Sequence, residues 1–123
     1  MIRPAMIPAG TVCYVEVVTS EVEQVRTAQE RCHGWRFTAT PALGDAFVAE
    51  LADGSRYAVR APMHDGERPV TRVYVRVEDI DRAAEAARLA GGFLAVPPME
   101  IPGHGRIAIY MLGGSEHGLW QLP

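Results

Sequence analysis

The chain contains no lysine; all twelve of its basic residues are arginines. That marks a GC-rich coding source and says nothing about chemistry. It has only two cysteines, Cys13 and Cys32, without CxxC spacing. In a reducing compartment both are expected to be buried thiols, not half of a disulfide or a metal knuckle. No apolar run is long enough for a membrane span or a secretory signal. The opening "MIRPAMIPAG" carries an arginine and two prolines instead, so a cytoplasmic location is the expectation. An excess of positive charge is also missing. A net charge of −3 and a pI near 5.8 argue against nucleic acid as a partner. There is no GxSxG elbow, no Walker loop and no dinucleotide-binding glycine pattern. The four histidines, His33, His64, His104 and His117, fall into none of the HxH, HxxxH or HExxH spacings.

What is present is ordinary core material, 48% hydrophobic over 123 residues, enough for one domain or for two small halves sharing a core. Residues 12–18, "VCYVEVV", alternate as a β-branched strand. Thr19 and Ser20 then offer caps for a helix that Gly34 stops. "RFTA", "AFVAEL" and "RYAVRA" read as three short strands, with the "DG" at 53–54 turning a hairpin between the last two. After a polar linker, residues 64–70, the order restarts. "RVYVRV" is a strand, the alanine-rich stretch 78–92 a helix, and "FLAV", "RIAIYML" and "EHGLWQL" three strands, with a long loop over 97–105. Gly34 aligns with Gly92 and Gly54-Ser55 with Gly114-Ser115. The chain therefore reads as one domain, residues 1–123, of two sibling halves (about 10–63 and 71–123). A four-stranded unit with one helix buries a single face of its sheet, so paired units are expected to form a curved mixed β-sheet around a cleft. This is an α+β fold of two βαβββ repeats with the helices on the outer face.

The stretches "YVEVVTSEVEQV", "ERCHGWRF", "VYVRVEDIDRAAEAARLAGG", "GGFLAVPPMEIPGHGRIAIYMLGG" and "HGLWQ" resemble, in that order, the vicinal oxygen chelate superfamily: glyoxalase I, bleomycin-resistance proteins and extradiol dioxygenases. The resemblance covers nearly the whole chain. It departs where the family often carries an aromatic pair (here Ala28 and Gln29) and an Asp-Pro before the last strand (here Leu112 and Gly113). The family's metal enzymes hold their ion from the first and fourth strands of each half. By that correspondence the four slots here are Tyr14, Ala58, Arg72 and Gly118. Ala and Gly offer no donor, Arg repels a cation and neutral Tyr is a poor ligand, so no metal and no other cofactor is expected. A one-residue shift would substitute Cys13, Tyr57, Val73 or His117, which supplies two plausible ligands at most.

Strand alternation assigns the cleft lining. Tyr14, Glu16, Glu50, Arg60, Arg72, Tyr74, Tyr110 and Trp120 are expected to face it, with Ile107, Ile109 and Met111 turned to the helix. The aromatics suit a planar ligand, and Arg60 or Arg72 could hold a carboxylate or pair with Glu16 or Glu50. Glu50 or Glu16, with His104, are the acid–base candidates. The resemblance implies a metal-free binder of a planar or aromatic small molecule, as in antibiotic sequestration, working as a homodimer. The alternative is a lyase, isomerase or oxygenase-like enzyme of the same fold. A protein-interaction subunit is a third class, without a well-formed cleft.

Overall fold

Alternating β-branched segments become strands wherever one face can be buried, and that rule accounts for most of the chain. The computed structural model describes residues 7–123. Among them, eight strands and two α-helices form two compact units, each with its own contacts.

The first unit spans Tyr14–Thr71 within the described residues. It contains β1 (Val12–Val18), α1 (Val22–His33), β2 (Phe37–Thr40), β3 (Ala46–Glu50) and β4 (Arg56–Arg60). Its strand order is β2-β3-β4-β1. β2, β3 and β4 run antiparallel as a meander, and β1 lies parallel to β4, with Glu16 opposite Ala58. Helix α1 ends at Gly34, whose N–H returns to the Glu30 carbonyl. At its start the Thr19 hydroxyl accepts the Glu21 N–H. The helix buries no residue fully. Its sheet side is carried by the Arg26 guanidinium, 4.4 Å above the Phe47 ring, so the charged head lies on an aromatic face. Trp35 packs against Tyr57 on this same face, ring centroids 4.7 Å apart.

The second unit contains Ile7–Cys13 and Arg72–Pro123. β5 (Val70–Arg76), α2 (Ile80–Leu89), β6 (Phe93–Ile101), β7 (Gly105–Leu112) and β8 (Ser115–Gln121) follow one another. The order β6-β7-β8-β5 reproduces the first unit strand for strand, including the parallel pairing of the unit's first and last strands. Both predicted βαβββ repeats are present, and the fold is α+β with a mixed sheet. The first repeat opens with β1 at Val12. Ile7–Cys13 belong with the second unit, because Gly10 N–H bonds the Arg76 carbonyl and Arg76 bonds the carbonyls of Thr11 and Ile7.

Two further expectations are corrected. The stretch read as a loop over 97–105 is largely strand, since β6 runs to Ile101. It is the outer strand of its unit, and its pairing with β7 shifts register around Pro97 and Pro98. Prolines that cannot donate to a ladder are tolerated at such an edge. Cys32 is exposed in the last turn of α1, whereas Cys13 is buried, and no disulfide joins them. Among the described residues no helix is long and apolar enough to cross a membrane.

The helix side of the second unit is a small-residue seam. Ile80 and Ala84 of α2 pack on Ala108 and Leu119, with Val77, Ala83, Leu94 and Tyr110 around them. Asp79 caps the helix through the Arg82 N–H, and Arg106 reaches Asp81 with two bonds. The hairpin turns of both units use a glycine with positive φ at the matched place, Gly54 (87°) and Gly114 (75°). That backbone region is costly for any residue with a Cβ, which explains why both copies keep the glycine. In the first turn Asp53 also accepts from both the N–H and the hydroxyl of Ser55, and Ser55 is buried.

Candidate functional site

In the first unit the face opposite α1 is set by the register of β1 on β4. Tyr14 pairs with Arg56, Glu16 with Ala58 and Val18 with Arg60, so all six point the same way. Tyr14, Glu16 and Arg60 are buried. Arg60 Nη2 donates to Glu16 Oε1 at 3.0 Å and to Glu67 Oε2 at 2.6 Å, while Nη1 donates to Glu67 Oε1 at 2.8 Å and to the Ala61 carbonyl at 3.2 Å. Hydrogen bonding to Glu67, and then the charge of Glu16, hold the guanidinium more firmly protonated than usual, against burial, which acts the other way. Glu50 shares this face at the end of β3, opposite Arg56, but it is exposed.

In the second unit, Tyr74 lies opposite Gly118 and Arg76 opposite Trp120. Tyr74 and Trp120 meet edge to face with centroids 5.3 Å apart. The Trp120 indole N–H donates to the His104 carbonyl at 2.7 Å, which ties the turn between β6 and β7 to this face. His104 is thus placed beside an aromatic of the expected lining through its backbone. Arg72 Nε and Nη2 both donate to Glu116 Oε2, at 3.2 and 3.0 Å. Of the expected arginine–glutamate pairs, Arg60 with Glu16 forms. Arg72 instead takes Glu116, which sequence reasoning missed although it lies two residues before Gly118 and alternation puts it on the same face.

Tyr110 is a correction. It packs at the α2 side of the sheet and stacks on His117, centroids 4.9 Å apart. Its neighbours in β7, Ile107 and Ile109, lie opposite Trp120 and Gly118 and share their face, as Met111 shares that of Glu116. The sequence reading placed the bulky aliphatics under the helix. The helix instead comes down on Ala108, because the short side chains of Ala84 and Ala108 allow a close approach and the β7–β8 pairing then fixes the phase of the whole strand.

No family model matches the chain. The protein CFP32 of Mycobacterium tuberculosis, with its Mycobacterium bovis counterpart, bears the name of a glyoxylase. It is 28% identical over 119 residues, which cover 91% of this chain and 46% of CFP32. The chain spans about half the length of these curated relatives. Among solved structures, the methylmalonyl-CoA epimerase of Mycobacterium tuberculosis superposes with a TM-score of 0.68 at 16% identity, covering 96% of this chain and 93% of its own. An epimerase of Streptomyces coelicolor, bound to 2-nitronate-propionyl-CoA, gives 0.66 at 12% identity over 94% of this chain and 96% of its own. Methylmalonyl-CoA epimerases have the glyoxalase-like vicinal oxygen chelate fold. This chain shares that fold.

A metal of the vicinal oxygen chelate kind does not fit the slots this chain presents. Ala58 is fully buried and offers no donor atom. At Gly118 even a Cβ would collide with the Tyr74 ring and stand 2.7 Å from the Val73 carbonyl oxygen, so no ligating side chain can be accommodated there. Among the described residues no group of three or more His, Cys, Asp or Glu is placed to hold an ion. The chemistry available is that of carboxylates, guanidinium groups and aromatic faces.

Proposed function

We propose that the chain is a glyoxalase-like enzyme of isomerase or lyase type that acts on a small carbonyl compound by proton transfer. Glu16 is the proton-transferring group and Arg60 the residue that orients it. The carrying observation is the buried Glu16 carboxylate, in the middle of β1 on the face away from the helix, with the minimal side chain of Ala58 opposite it. A carboxylate held in a largely dehydrated place beside a fixed guanidinium is suited to taking a proton from carbon next to a carbonyl. The relationship to CFP32, named as a glyoxylase, and the fold shared with methylmalonyl-CoA epimerases support this class of reaction.

The test is α-proton exchange. Small 2-oxo compounds, 2-hydroxy aldehydes and acyl thioesters are incubated with the protein in deuterated water and followed by proton NMR. The expected outcome is catalysed exchange with at least one class, reduced on the order of a hundredfold by Glu16→Gln, as for loss of a general base. Glu50→Gln, on the same face but exposed, is expected to have a smaller effect.

One observation favours a second reading, a binder that sequesters a planar molecule. Glu16, Glu67 and Glu116 are all partnered by arginines, so these carboxylates are already engaged in ion pairs. A binder would show saturable thermal stabilisation by a ligand and no exchange.

A further inference from the structure

Glu67 lies in the polar segment between β4 and β5, outside both repeats. Yet its carboxylate is drawn onto the buried guanidinium of Arg60, which is only 5% exposed. The two oxygens meet Nη1 and Nη2 at 2.8 and 2.6 Å, the end-on two-pronged geometry in which a guanidinium takes a carboxylate from any source.

We infer that Arg60 is a substrate-carboxylate site and that Glu67 is its internal occupant, displaced when a carboxylate-bearing substrate binds. This deepens the enzymatic reading above, on which it rests, by naming the substrate class.

Three features support the exchange. First, Arg60 already faces two carboxylates, Glu16 and Glu67. Adding a third without losing one would place another uncompensated negative charge in a buried site, whereas exchanging Glu67 for a substrate carboxylate leaves the charge as it was.

Second, the segment that carries Glu67 is built to move as a strap. It is bounded by Pro62 and Pro69, and Met63, His64, Asp65, Gly66 and Arg68 are exposed while Glu67 turns inward. Its turn is shaped from within. The Gly66 N–H bonds His64 Nδ1 at 3.1 Å, the Glu67 N–H bonds the His64 carbonyl at 3.1 Å, and the Met63 N–H bonds Glu67 Oε1 at 2.7 Å. The two bonds to His64 can therefore keep the turn's shape as the strap lifts, while the Met63 N–H loses its acceptor when the Glu67 carboxylate leaves.

Third, Gly44 gives the strap its seat. A Cβ at this position would lie 3.3 Å from Arg60 Cδ and would collide with the Met63 methyl, so the missing side chain is what lets the arginine arm and Met63 lie over it.

The experiment uses the full chain as wild type, Glu67→Gln, Arg60→Gln and Arg60→Lys. The probes are acetate, propionate, malonate and succinate, with acetamide and propionamide as uncharged controls. Binding is followed by NMR titration, and strap release by hydrogen exchange at the Met63 amide, which Glu67 protects in the closed state. At least one carboxylate, and neither amide, is expected to speed exchange at Met63 in the wild type. Glu67→Gln should bind that carboxylate about tenfold more tightly, because an intramolecular competitor at high effective concentration has been removed. Arg60→Lys, which keeps the charge and loses the fork, and Arg60→Gln should lose the response with a folded circular dichroism spectrum. Should the arginine variants fail to fold, the comparison of wild type with Glu67→Gln decides alone. No carboxylate bound by Glu67→Gln, equal or weaker binding by it, or an unchanged Met63 amide at saturation overturns the assignment. Tighter binding by Glu67→Gln with no proton exchange on any substrate would retain the carboxylate site and discard the enzymatic reading. Exchange on substrates without a carboxylate, indifferent to Glu67→Gln, would do the reverse.

Discussion

At the scale of single residues, Gly118 leaves no room for a side chain. The obstruction around it includes the backbone carbonyl of Val73, which cannot rotate away as a side chain would. Gly118→Ala is expected to cost about 1–3 kcal/mol by overpacking, read as a lower midpoint in thermal or urea unfolding. Trp120 makes a different prediction. Trp120→Phe keeps most of the contact with Tyr74 and loses only the bond to the His104 carbonyl. A loss of about 1 kcal/mol follows, together with faster hydrogen exchange at the His104 amide, which bonds the Ile101 carbonyl inside the turn that Trp120 anchors. If the exchange rate stays as in wild type, the indole is not what holds that turn.

At the scale of elements, the two helices occupy equivalent places in their units but are held differently. Helix α2 is capped by Asp79 and buries Ile80 and Ala84. Helix α1 has no side-chain cap at Glu21 and no buried residue, and it rests on Arg26 over Phe47. Asp79→Ala is therefore expected to cost about 1 kcal/mol, whereas Glu21→Ala should change stability by a few tenths at most. Ile80→Ala, which opens a cavity in the α2 seam, should cost about 2–5 kcal/mol, while no single alanine in α1 should approach that. Urea unfolding of these variants checks the ranking, and equal costs in both helices would contradict it. The sequence had already made α2 the firmer helix through its alanines and its acidic start. What it could not state is the contact partner, since Ala84 meets Ala108 only once β7 has its register.

For the whole molecule, the titrating groups give a pH dependence. Asp53, hydrogen-bonded by Ser55, and Asp81, hydrogen-bonded by Arg106, are both held below their ordinary values, as is Glu85 by Arg88. A carboxyl whose folded value is depressed contributes stability above its unfolded value and loses it as the pH falls through the folded one. Stability should accordingly fall below pH about 4. Asp53→Asn should flatten part of that slope, and added salt should weaken the Asp81–Arg106 share because that pair is exposed. Denaturation midpoints between pH 2 and 6 test this. The slot residues give a second expectation: zinc, nickel or manganese should leave the melting temperature unchanged, and a clear rise would reveal a donor set other than the one considered.

The duplicated βαβββ order, most strand positions (the far half of β6 excepted) and the turn glycines were legible in the sequence, because period-2 alternation and the need for positive φ are local properties that neighbouring residues settle among themselves. Alternation along two strands also put Arg60 and Glu16 on one face, as one of several pairings it left open. Tyr110 shows where that reading stops: which face of β7 meets the helix depends on how closely α2 approaches, a matter of small side chains on a different element. Glu67 shows the same from a loop, which has no periodicity from which its direction could be inferred. Its place on Arg60 exists only because the folded chain brings the linker back over β4. The sequence by itself determined which segments alternate and where they turn. The tertiary structure decided which faces were buried and which charges met, since both depend on contacts between residues far apart in the chain.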